Sequence, residues 1–172
     1  GIRGRASGRS WWPCAHSRIR GGRVSRPAHG PAVVIPTDDA FADPVAAGRA
    51  AASAARERLA ATGLAVVTTE RRRRTDHNTL RHGELVMQAL TTAVRELMPD
   101  VEAVVAKGGI TSAELARTGV GASRALVRGQ VLPGVSVWDL VSAEGEERLY
   151  VVVPGNVGGP DALVDVLAAL RR

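Results

Sequence analysis

A three-layer α/β/α domain around a mixed, mostly parallel sheet is the fold that this 172-residue sequence predicts. Apolar, β-branched segments alternate with helix-patterned segments over residues 33–106, the rhythm of strand–helix–strand units. Two or three further strand segments follow one another between about 125 and 153, which adds an antiparallel part. The content of 45% hydrophobic but only 3% aromatic residues makes Val, Leu and Ala the core builders, in a chain of the length that usually forms one domain.

The elements follow in order. Val33 to Ile35 forms a short strand before Pro36, and Asp38 and Asp39 mark a turn or helix start. Residues 45–61 are Ala-rich with interspersed charges, strong helix composition, and Gly63 suits the stop. Leu64–Thr69 is apolar and β-branched, a buried strand. Glu70 to Asn78 is a polar loop; its run Arg71 to Arg74 fits a solvated surface or a grip on an anionic ligand. Residues 80–98 place Val86, Leu90, Val94 and Leu97 on one helical face, and Pro99 ends that helix. Val101–Ala106 is a second buried strand. A short helix over about 112–118 stops at Gly119. Ala125–Arg128 and Val135–Trp138 are strands flanking the turn Leu132-Pro133-Gly134. Leu149–Val153 is the most hydrophobic strand. A last helix over about 161–170 carries Leu163, Val164, Leu167 and Leu170 at the 3.6-residue period.

The net charge of +6 is a nucleic-acid signal only until it is located. Residues 1–31 hold seven arginines and no acid; the rest of the chain has 16 basic residues against 17 acidic ones. Residues 32–172 are therefore close to neutral and give no reason to expect a nucleic-acid surface. Residues 1–31 form one compositional block of Gly and Arg with Trp11, Trp12 and Cys14, too polar to offset its chain entropy. It reads as a disordered basic arm, or as sequence that is not native coding at all. A lone cysteine makes no internal disulfide and fits a reducing cytoplasm. No apolar run reaches the roughly 18 residues of a membrane span, and the basic N-terminus lacks the apolar stretch of a secretory signal. His16, His29, His77 and His82 have no metal-ligand spacing, and His77 and His82 read as surface residues.

Two loops carry chemistry. Lys107-Gly108-Gly109-Ile110-Thr111-Ser112 lies directly after a buried strand and before a helix, where ligands bind in open α/β sheets. Glycines let backbone approach a ligand closely. Thr111 and Glu114 have capping-box spacing, which puts the helix start near Ser112. Free N–H groups at such a start favour phosphate, and Lys107, the chain's one lysine, supplies an ammonium beside it. The second loop, Pro154-Gly155-Asn156-Val157-Gly158-Gly159-Pro160-Asp161, also links an apolar strand to a helix, and Asn156 adds an amide. Either loop alone also fits a plain tight turn. Neither is a Walker A motif or Gly-x-Gly-x-x-Gly.

Three stretches in order, Val104 to Ser112, Gly129-Gln130-Val131-Leu132-Pro133-Gly134-Val135-Ser136-Val137-Trp138, and Pro154 to Gly158, resemble the C-terminal nucleotide-binding domain of the four-carbon acid sugar kinase family. Residues 101–170 match best and residues 45–98 more loosely. The resemblance implies an ATP-dependent kinase of threonate, erythronate or their oxo forms, with Mg2+ arriving on the nucleotide. It implies that Gly108, Gly109, Ile110 and Thr111 contact ATP, with Gly155, Asn156 and Gly158 as the facing loop; Lys107 joins them by proximity. The family's sugar-acid domain is missing, and its Ser-containing, Thr-rich nucleotide loop is replaced by residues 1–31. The sequence thus predicts weak ATP binding and no turnover without a separately encoded substrate domain. A non-catalytic nucleotide- or anion-binding module is the alternative.

Overall fold

The computed structural model describes residues 31–70, 80–158 and 161–170. The N-terminal arm, the arginine run and His77 lie outside them. Strand β1 (Val33–Ile35) leads into helix α1 (Thr37–Ala42), which takes up Asp38 and Asp39 in its first turn. Helix α2 (Pro44–Thr62) starts where the Asp43 carboxylate accepts the N–H groups of Val45 and Ala46, both at 3.0 Å. It ends at Gly63, whose φ of 71° closes the helix with an N–H bond to the Leu59 carbonyl. Strand β2 (Val67–Thr69) is shorter than predicted and only half-buried.

Helix α3 (Leu80–Leu97) continues as a 3-10 turn at Met98–Asp100 and leads to β3 (Ala103–Lys107). Helix α4 (Gly109–Glu114) runs into a π-helical turn at Leu115–Gly119. Strands β4 (Ala122–Leu132), β5 (Val135–Ser142) and β6 (Glu147–Val153) follow, then helix α5 (Ala162–Leu170).

The α/β class with a mixed sheet is the observed one, with two parallel and two antiparallel strand pairs rather than a mostly parallel sheet. A two-stranded sheet pairs β1 with β2 in parallel. A four-stranded sheet runs β3-β6-β5-β4, with β3 and β6 parallel and the other two pairs antiparallel. Alternation along β6 builds the layers. Tyr150 and Val152 face one side with Ala106, Leu140, Leu115 and α3's Leu90 and Val94. Val151 and Val153 face the other with Val135 and α5's Val166. Leu90 also packs in the cluster of Ile35, Ala40, Ala51, Ala89 and Ala93, so α3 joins the two sheets.

Small residues let α2 and α3 come close. A Cβ at Gly48 would sit 2.5 Å from the Ala89 carbonyl oxygen and 2.7 Å from Thr92 Cβ. Strand β4 has no further strand on its outer side among the described residues, and Ser123 to Gln130 are all exposed along it.

Candidate functional site

The site is built from the strand ends upward. Strands β3 and β6 pair in register, with Lys107 opposite Val153. Both chains leave the sheet side by side at the same end, so the two glycine loops are neighbours. Gly108 N–H donates to the Val153 carbonyl at 2.8 Å. A Cβ at position 155 would lie 4.0 Å from Gly108 Cα.

Gly108 makes the turn. Its φ of 99° and ψ of 139° are disfavoured for residues with a Cβ, and they aim the chain straight into α4. The helix therefore begins at Gly109 with Gly108 as its N-cap, three residues before the predicted start. The capping box is not formed. Glu114 instead binds Arg117 at 2.9 and 3.0 Å and the Thr118 hydroxyl at 3.3 Å. Ser112 N–H is bonded to the Gly108 carbonyl at 2.9 Å. By the general rule for helix starts, the N–H groups of Gly109, Ile110 and Thr111 have no intrahelical acceptor.

The predicted site residues gather at this end. Lys107, Gly109, Ile110, Gly155, Asn156 and Gly158 are exposed, Ile110 to 80%. Gly108 and Thr111 are half-buried, and the Thr111 Oγ1 lies 3.7 Å from where a Gly108 Cβ would be. Gly158 takes φ 81°, and a Cβ there would collide with Ala162 at 2.3 Å. The third motif buttresses the second loop. Gly134 N–H donates to Gln130 Oε1 at 2.9 Å, and a Cβ on Gly134 would come within 3.2 Å of Val157. Val131, Leu132 and Val157 share the same apolar cluster.

Sequence reasoning missed the anchor under the first loop. Ser112 is buried; its hydroxyl donates to the Ala106 carbonyl at 3.3 Å, and its carbonyl accepts the Tyr150 hydroxyl at 2.7 Å. Burial pushes the Tyr150 phenol up from its ordinary value. The signal was thin: the chain's one tyrosine, inside its most hydrophobic strand. His82 was expected at the surface but is half-buried and stacks on Phe41 at 4.3 Å between centroids. No group of three or more His, Cys, Asp or Glu side chains gathers among the described residues. No helix among them is long and apolar enough to cross a membrane.

A profile of the nucleotide-binding C-terminal domain family matches residues 23–163. The chain belongs to that family. No curated protein sequence matches this chain significantly. Two crystal structures of a domain of unknown function, DUF1537, from Bordetella bronchiseptica, each a domain-swapped dimer with bound citrate, are similar to it. One is 21% identical with a TM-score of 0.52, the other 22% identical with a TM-score of 0.49. Each alignment covers 83% of this chain, which spans only 41% and 39% of those longer chains. The likeness at a TM-score of 0.52 shows a shared fold.

Proposed function

We propose that residues 32–172 are the ATP-binding domain of a kinase for four-carbon sugar acids of the threonate, erythronate or oxo-tetronate type. The observation that carries this reading is the contact between the two glycine turns, Gly108 N–H to Val153 carbonyl at 2.8 Å, at the ends of adjacent parallel strands. One triphosphate can touch both turns. The N–H groups at the start of α4 meet one set of its oxygens, and the Gly155–Gly158 loop faces it from the neighbouring strand. Lys107 is exposed at the mouth and has no ion-pair partner among the described residues, so its ammonium is available to a phosphate oxygen. Asn156 offers an amide for a directional bond. The ordered resemblance of the three motifs to the sugar-acid kinases supports the assignment of ATP and of the acceptor class.

Mg2+ would arrive coordinated by the triphosphate, as in kinases generally. This chain's share of the reaction is to hold and orient the nucleotide. Phosphoryl transfer also needs a positioned acceptor and the group that takes its proton, and these belong to a sugar-acid domain outside this chain. Thermal denaturation with and without Mg-ATP tests the binding. A melting temperature that does not move at millimolar Mg-ATP refutes the reading. ATP-dependent phosphorylation of a sugar acid by the 172-residue chain alone refutes the division of labour. A binding signal that no substrate domain ever converts to turnover supports a non-catalytic nucleotide module instead.

A further inference from the structure

One cavity, of about 290 Å³, lies beside the glycine turns, between α4 with its π-helical extension and strands β4 and β5. Gly109 and Ser112 stand at the end shared with the first loop. Its floor and walls are apolar, with Trp138, Leu140 and Val152 on the sheet side and Ala113 and Ala116 on the helix side. Clefts that take a whole drug-sized ligand span about 300–1,000 Å³. This one accordingly suits a single flat ring system rather than an entire nucleotide.

Small side chains on the helix create the gap. Ala113 and Ala116, three residues apart on one helical face, hold α4 over the sheet without filling the space between them. At the outer rim stand Arg117 and Arg124, both exposed. Arg117 is held by Glu114, whereas Arg124 has no ion-pair partner among the described residues. A free guanidinium at the rim can lie over an aromatic face.

We propose that this cavity receives the heteroaromatic base of the nucleotide whose phosphates lie on the two glycine turns. The inference rests on the phosphate reading of those turns and adds to it the site that distinguishes a nucleotide from any other polyphosphate. The sheet wall of Trp138, Leu140 and Val152 takes one ring face, and the Arg124 guanidinium at the rim lies over the other.

Calorimetry on the full 172-residue chain with ATP, inorganic tripolyphosphate and adenosine tests it. The expected result is ATP binding about 10-fold or more tighter than tripolyphosphate, the order of factor one buried ring supplies. Ala113→Leu, which fills the cavity from a position where a helix accepts Leu, is expected to erase that preference. Arg124→Gln, which removes the guanidinium from the rim, is expected to narrow the preference by about 2- to 5-fold. Equal affinity for ATP and tripolyphosphate overturns the base site and leaves the phosphate turns standing. Binding of adenosine without tripolyphosphate sustains the base site and overturns the turns. Binding of none of the three overturns both, and a preference that survives Ala113→Leu overturns this cavity as its source.

Discussion

At Gly108 the backbone takes φ 99° and ψ 139°, a region that only glycine enters cheaply. A Cβ there meets nothing closer than the Thr111 hydroxyl at 3.7 Å, so the obstacle to substitution is the dihedral and not space. Gly108→Ala is expected to cost about 1–3 kcal/mol of stability and to weaken ATP binding, because relieving the strain swings the first turn of α4 away from β6. Urea denaturation and ATP titration of the variant measure both. Under the same turn, Tyr150 ties β6 to α4 through the Ser112 carbonyl. Tyr150→Phe removes this bond while the Ser112 carbonyl keeps the Leu115 N–H, and is expected to cost about 0.5–1.5 kcal/mol. The phenol also sets an alkaline limit. Its folded pKa is raised by burial, so the stability linked to it is complete below the unfolded value of about 10 and is lost as pH climbs past that value. Wild-type stability should fall above about pH 10, and Tyr150→Phe should flatten this part of the profile.

Among the elements, the close crossing of α2 and α3 turns on Gly48. Alanine at a helical glycine normally gains up to about 1 kcal/mol in propensity. Here the new Cβ would sit 2.5 Å from a backbone oxygen, and overpacking of that kind costs about 1–3 kcal/mol or more. Packing wins, so Gly48→Ala is expected to lower the melting temperature, which calorimetry reads directly. Helix α2 itself was legible before any coordinates, because Ala-rich composition and the Gly63 stop are local signals. The start of α4 was not, since Thr111 and Glu114 imitate a capping box while the deciding quantity, the Gly108 dihedral, leaves no trace in residue spacing. Strand β4 was half legible. Only Ala125–Arg128 looks strand-like, yet pairing with β5 extends it from Ala122 to Leu132 through register shifts, and long-range pairing is invisible to local pattern. The adjacency of the two glycine loops was legible only as a possibility, since no spacing in the chain says that β3 and β6 are neighbours.

For the whole molecule, ligand binding and stability are linked. At about 100 times its dissociation constant, ATP should add about 2.7 kcal/mol, worth roughly 5–10 °C in melting temperature for a chain of this size. Gly108→Ala should shrink that increment, and a thermal-shift series in ATP concentration measures it. The body's near-neutral charge was legible once the arginines of residues 1–31 were set apart, whereas the base-sized cavity was not, because it depends on where two alanines meet a sheet. The outer side of β4 has one more consequence. An eleven-residue strand whose rim is bare among the described residues, with exposed Leu126 and Val127, is a template onto which another unfolded chain can zip. Arg128 beside that pair is neutralised by Asp139, whereas Arg124 on its other side has no ion-pair partner among the described residues and acts as a gatekeeper by charge repulsion. Replacing Arg124 with valine should leave the monomer folded and make refolding at high protein concentration end in turbidity, so one guanidinium group on the rim sets how crowded a solution this molecule can mature in.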